Sequence, residues 1–170
     1  MKKTWRKIGL GLLIIISLAA IGFTVWAVTP PEPEPTALNS LSANENVDYQ
    51  RSGSWLVFTP RAVESNTGLI LYPGGRVDPR SYAPHARAIA EAGFTVVVVP
   101  MPLNFAFLGI DRANEVIDTF QNIDTWAIGG HSLGGAMAVE FADANPSQVE
   151  GLILWASYPA ETTDLSGSDL

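Results

Sequence analysis

The chain has no cysteine in its 170 residues. That excludes disulfides, thiolate metal ligands, a cysteine nucleophile and a lipid-modified cysteine. It leaves the redox compartment open, because a chain without thiols tolerates either side of a membrane. Histidine is nearly as scarce. His85 and His131 are the only two, and isolated histidines without ligand spacing do not suggest a metal site. Positive charge is sparse and lopsided: Lys2, Lys3, Arg6 and Lys7 supply four of the ten basic residues, and the other six are all arginine. Beyond residue 28, six arginines face 17 acidic residues, a net −11. With no basic stripe interleaved with aromatics, binding to nucleic acid, which rests on neutralising phosphates, is excluded. No P-loop is present either, since Gly74-Gly75 lacks the Lys-Ser/Thr continuation. Nothing calls for a cofactor, and no internal repeat is visible.

What is present begins with a long apolar run. Ile8 to Val28 reads IGLGLLIIISLAAIGFTVWAV, close to the roughly 20 residues that span a bilayer as a helix. Ser17 and Thr24 are its only hydroxyls, and both can bond back to the helix backbone. The basic cluster at 1–7 sets the N-terminus in the cytoplasm, and Trp5 and Trp26 stand where interfacial aromatics belong. A cleaved signal peptide would have a shorter apolar core and a small-x-small site; Ala19-Ala20 falls in mid-run, so an uncleaved signal-anchor over 8–28 is the expectation. Both readings export the remainder. Residues 29–46, opening with TPPEPEPT, are expected to be an extended Pro/Glu linker that lifts the domain off the membrane.

With 47% hydrophobic and 16% charged residues, the composition suits one globular domain beyond that segment. From Val47 strands alternate with helices, the signature of an α/β domain over 47–170 with a mostly parallel sheet. Val47 to Arg51 and Trp55 to Phe58 are strands, followed by Gly68 to Tyr72, Phe94 to Val99 and Gly151 to Ala156. Asp78-Pro79 opens a helix with a cap and a first-position proline, burying Tyr82, Ala86, Ile89 and Ala90, and Gly93 closes it. A second helix is expected over Ile110 to Asn122, with Ile110, Ala113, Ile117 and Phe120 inward.

The most informative segment is Trp126-Ala-Ile-Gly-Gly-His-Ser-Leu-Gly-Gly135. An apolar run ends in Gly130-His131-Ser132-Leu133-Gly134, and a helical pattern starts at once. This is the G-x-S-x-G nucleophile elbow, a strand-to-helix turn that presents a serine hydroxyl at the top of a sheet. Gly130 and Gly134 flank a bend too tight for side chains. The serine backbone is held strained, and the following helix aims its N-terminal amides at a developing oxyanion.

Three stretches, LILYPGGRVDPRSYAPHARAIAEAGFTVVVV, MPLNFAF and IGGHSLGGAMA, together resemble the α/β-hydrolase superfamily and its dienelactone-hydrolase-like branch. The resemblance covers about Val47 to Leu170. It implies a doubly wound, mostly parallel sheet of the α/β-hydrolase type, preceded by one transmembrane helix. It implies Ser132 as nucleophile, the Leu133 amide as one oxyanion donor, and a second from the loop Pro73-Gly74-Gly75-Arg76, with Gly75 favoured and Arg76 next. Members named for dienelactone hydrolysis use cysteine, so the serine here points to a general ester, thioester or amide-type acyl hydrolase. Leu103, Phe105 and Phe107 are candidates for an apolar acyl pocket, ordinary loop packing being the alternative.

The remaining catalytic partners are missing. The superfamily order is Ser, then Asp or Glu, then His, and no histidine follows Ser132. His131 should point away from Oγ and pack or bond beneath the loop, and His85 reads as a surface or half-buried residue. Glu140 and Asp143 read as surface charge. Asp164 and Asp169 precede any further strand and are not assigned. The expectation is an N-terminal portion of a longer hydrolase, its sheet incomplete at the C-terminal edge, lacking about 60–80 residues of further βαβ structure. A chain so cut exposes the strand Gly151 to Ala156 as an apolar edge that invites aggregation, and no ester turnover is expected of it alone. The sequence thus supports a membrane-anchored, extracytoplasmic serine hydrolase with a small acyl substrate. A non-catalytic binding module and an acyltransferase are the alternatives.

Overall fold

The computed structural model describes residues 2–160 and 163. Asp164 and Asp169 lie outside the described residues. The chain opens with helix α1, Lys2–Val28, whose stretch Trp5–Val28 is long and apolar enough to cross a membrane. Its leucines and isoleucines are about half to two-thirds exposed on all sides. A helix apolar all round suits lipid rather than a one-sided protein core.

Six strands form one sheet in the order β1-β2-β4-β3-β5-β6. They are β1 Val47–Ser52, β2 Trp55–Pro60, β3 Thr67–Tyr72, β4 Thr95–Val98, β5 Thr125–His131 and β6 Gly151–Trp155. The first two pairings, β1 with β2 and β2 with β4, are antiparallel. The other three are parallel, with Leu69 opposite Val96, Ile70 opposite Ile128, and Gly130 opposite Leu154. Ser52-Gly53 turns the β1–β2 hairpin as the sequence suggests, with Gly53 at φ 59.

Alternation along the strands builds two cores. Leu69, Leu71, Val96 and Val98 face helix α3, Ala83–Glu91, through Ala83, Ala86 and Ala90. Ile70, Tyr72, Val97 and Ile128 face the opposite side. There they meet α4, Arg112–Thr119, and α5, Leu133–Ala144, through Ala113, Val116, Ala138 and Phe141. Helices thus cover both faces, as a largely parallel sheet requires. The Asp78-Pro79 signal starts a 3-10 turn, Pro79–Tyr82, with the Asp78 carboxylate accepting from the Arg80 amide at 2.9 Å. The second helix is shorter than the expected Ile110 to Asn122. Phe120 leaves helical geometry at ψ 68, and the Gln121 side chain donates to the last carbonyls, Ile117 and Asp118.

The course of the linker is specific. Residues 29–46 do not hold the domain away from α1. Pro33 and Ala37 are buried, and a short helix α2, Pro35–Asn39, lies against the domain. Arg87 donates to the carbonyls of Ser40 and Ser42, and Asn44 donates to Glu91. Proline costs little side-chain entropy to dock, so a Pro-rich strap can lie along a surface as readily as stand off from it.

Candidate active site

Parallel strands β3, β5 and β6 all finish at the same end of the sheet, so the loops after Tyr72, His131 and Trp155 converge there. Ser132 is the single residue between β5 and α5. It is exposed and sits at φ 51, ψ −123, a region a non-glycine residue occupies only at a cost of about 1–3 kcal/mol. Its amide donates to the Trp155 carbonyl at 2.9 Å, and its carbonyl accepts from the Ala136 amide and the Ser157 hydroxyl. The backbone is therefore held on both sides. Its Oγ does not cap the helix that follows.

The flanking glycines are steric necessities. A Cβ at 130 would lie 2.4 Å from the Gly134 carbonyl carbon. One at 134 would lie 2.2 Å from the Tyr72 carbonyl oxygen and 2.4 Å from that of Pro73. Both obstacles are backbone, so nothing can swing aside.

Leu133 opens α5, and an amide in a helix's first turn has no intrahelical acceptor. Gly75 stands next to it: a Cβ there would be 3.3 Å from Leu133 Cδ2 and 3.6 Å from Phe105 Cδ1. Among the described residues neither amide donates to a protein group. The Arg76 amide is different. It donates to the Asn104 carbonyl at 2.8 Å, so it is committed to holding the loop and is not free to receive a developing charge. The loop is also tied from below. The Gly74 amide donates to Tyr82 Oη at 2.8 Å, and Tyr82 Oη lies 3.1 Å from His131 Nδ1. With its oxygen accepting from Gly74, the phenol can give its proton to the imidazole, so His131 links the elbow to the oxyanion loop. Burial pushes the Tyr82 phenol above its ordinary 10.0, the Gly74 hydrogen bond pulling the other way.

A hollow of about 340 Å³ adjoins Ser132, lined by Leu133, Ala136 and the segment Ala156 to Ala160. The candidate pocket residues do not line it. Phe105 and Phe107 pack on each other at 5.4 Å between ring centres. Phe105 also stacks on Phe23 of α1, and Leu103 is half-buried in a left-handed turn at φ 50. The lining of this hollow follows β6, and Ser157 and Tyr158 were not singled out from sequence. Their signal was available: in a parallel sheet the residues just after β6 must surface beside the elbow.

No acid–base pair reaches Ser132 among the described residues. His131 turns to Tyr82, and His85 is exposed with its ring against Trp155. Asp143 is exposed, whereas Glu140 is half-buried and accepts from Thr163.

A mostly parallel sheet sandwiched by helices, with a strained serine between the fifth strand and its helix, is the arrangement of an α/β hydrolase. The model of the alpha/beta hydrolase family matches residues 68–169, and the chain belongs to that family. Among solved structures it is similar to an esterase from the bacterial hormone-sensitive lipase family. The TM-score is 0.53 at 16% identity, over 79% of this chain and 56% of that one. It is also similar to AbyA5, at TM-score 0.50 and 18% identity over 65% and 37%. Brefeldin A esterase, a bacterial homologue of human hormone sensitive lipase, gives TM-score 0.47 and 18% identity over 88% and 48%. At these identities the likeness concerns the fold alone. The chain spans about half or less of the length of these proteins. No curated protein matches it by sequence.

Proposed function

We propose that this protein is a membrane-anchored, extracytoplasmic serine hydrolase of ester-type bonds, of the dienelactone-hydrolase-like branch. The observation that carries the reading is Ser132, exposed in a strained turn, with the uncommitted amides of Leu133 and Gly75 beside it. In the proposed reaction Ser132 Oγ attacks the substrate carbonyl and loses its proton to a base. The carbonyl oxygen takes up negative charge between the two amides. The tetrahedral centre then expels the alcohol, which leaves with the proton, and water releases the acyl group by the reverse sequence. The described residues do not hold the base, and the reading requires a histidine and its carboxylate to reach Ser132. The basic segment 1–7 supports the orientation across the membrane.

The test is labelling of the natural full-length protein by a fluorophosphonate probe. Covalent labelling that disappears in Ser132→Ala is expected, and labelling that persists in that variant would overturn the assignment. A non-catalytic binding module is the second reading. It is favoured by the absence of a histidine facing Ser132 among the described residues, and complete inertness of the natural protein to the probe would select it.

A further inference from the structure

The C-terminal end of α1 is fastened to the two loops that frame the candidate site. Arg76 Nε donates to the Trp26 carbonyl at 2.9 Å and Arg76 Nη2 to the Thr29 carbonyl at 2.9 Å. The guanidinium carbon lies 4.0 Å from the centre of the Trp26 ring, within the range of a cation–π contact. Asn104 Nδ2 donates to the Ala27 carbonyl at 2.9 Å, and Ala27 is fully buried. A helix end leaves its last carbonyls without partners; here loop side chains supply them. The fastening loops are themselves joined, since the Arg76 amide donates to the Asn104 carbonyl.

Aromatic rings continue the contact. Phe105 lies 6.2 Å from Phe23 with planes 4° apart, and 6.2 Å from Trp26. Phe107 packs on Phe105, and Phe107 and Leu108 are 51% and 46% exposed. Phe23 and Trp26 belong to the apolar span itself. A loop stacked on them therefore stands at the depth of the span's last two turns, where interfacial aromatics sit. The course of residues 29–46 agrees: α2 lies against the domain.

We infer that the Phe105–Leu108 loop dips into the membrane surface, and that the candidate site takes an ester whose long acyl chain lies in the bilayer rather than a water-soluble ester. The immersion of the loop rests on the membrane-anchored reading of α1 proposed above, and the substrate class rests on the hydrolase reading. Gly75, the favoured oxyanion donor, is the immediate neighbour of both Arg76 and Phe105, so the oxyanion loop lies against the loop that meets the lipid.

The 170 residues hold no cysteine, so the test is clean on the natural protein in phosphatidylcholine vesicles with any cysteine elsewhere replaced by serine. Single cysteines Phe107→Cys, Leu108→Cys and Val63→Cys each carry an environment-sensitive fluorophore, and the vesicles contain lipids spin-labelled near the headgroup. Val63 is exposed and lies between β2 and β3, at the opposite end of the sheet. Several-fold quenching at 107 and 108 with little at 63 is expected. Equal quenching at all three, or none at 107 and 108, overturns the immersion. In the same vesicles, a long-chain fluorophosphonate is expected to label Ser132 at least ten-fold faster than a short, water-soluble one. Equal rates overturn the substrate class. Failure of both probes would defeat the hydrolase reading and the substrate class with it, while the quenching result judges the loop separately.

Discussion

Two junctions define this molecule, and they are built on opposite plans. At the elbow, backbone meets backbone. Gly130 and Gly134 leave space that no side chain could share, and Ser132 is pinned by its own amide and carbonyl. At the end of α1, side chains meet carbonyls and rings. Arg76, Asn104 and Phe105 reach contacts 50, 77 and 82 positions away in sequence. The first plan fixes a position by excluding every alternative. The second holds it by several bonds, any one of which can be loosened. A reactive group needs the first kind of support, while an attachment to a terminal helix tolerates the second. Substitutions at the two junctions should therefore differ in size and in reach.

The largest effect is expected from Gly134→Ala. Its methyl would stand 2.2 Å from the Tyr72 oxygen, and relief requires α5 to move off β3. Overpacking against backbone in a core costs about 3 kcal/mol or somewhat less. A thermal unfolding midpoint in detergent should fall by many degrees. An unchanged midpoint would show that the elbow has slack and erase the contrast.

Tyr82→Phe comes next. It strands the buried Gly74 amide without an acceptor, a loss of about 1–3 kcal/mol. The effect should depend on pH in a definite sense. Burial raises the Tyr82 phenol above its ordinary value, and does the same more strongly to Tyr72. A group whose folded pKa is raised contributes fully below its unfolded pKa, here near 10.0, and its contribution fades as pH climbs through the folded value. Stability should therefore decline above about pH 10, and less steeply in Tyr82→Phe. Urea midpoints at pH 8 and pH 11 measure both effects; parallel declines in the two proteins would deny the buried phenol its role.

The same contrast explains what the sequence disclosed. The elbow lies within one short stretch, and its chemistry follows from letters adjacent to one another: a strand, Gly-x-Ser-x-Gly, then small residues at helical spacing. The sheet was legible for a similar reason, since each buried strand is a continuous apolar run. The helix-end junction was not, because nothing local to Arg76 or Asn104 names Trp26 or Ala27 as a partner. Phe105 and Phe107 read as pocket residues because an apolar loop near an active site has two possible neighbours, substrate and protein, and only the fold chooses. Tyr82 read as part of a buried stripe, which it is. Its hydroxyl's task, holding Gly74 and meeting His131, depends on two loops converging. The course of the Pro/Glu segment was not legible because composition reports stiffness without direction.

Ser132→Gly should act with the opposite sign. Glycine adopts φ 51, ψ −123 without the penalty serine bears, so the variant is expected to gain about 1 kcal/mol while losing fluorophosphonate labelling. Ser132→Ala keeps the strain and should lose labelling without the gain. If both variants were stabilised alike, the cost at this position would come from the hydroxyl and not from the backbone.

The smallest effect belongs to Arg76→Lys, and it separates the two junctions most sharply. Lysine keeps the charge and the left-handed backbone at φ 55. It cannot reproduce a planar fork that bonds two carbonyls while lying over an indole ring. Losing one of those bonds is worth about 1 kcal/mol, enough to raise the population of a locally open form about five-fold. Hydrogen exchange is the appropriate measurement, because it reads local opening amide by amide. The Arg76 amide, which donates to Asn104, should exchange about five-fold faster. The Ser132 amide, held by Trp155, should not change, since the elbow's support is backbone packing that Arg76 does not touch. Acceleration at both amides would mean that the helix end and the elbow open as one unit, and α1 would then be a structural part of the support of Ser132.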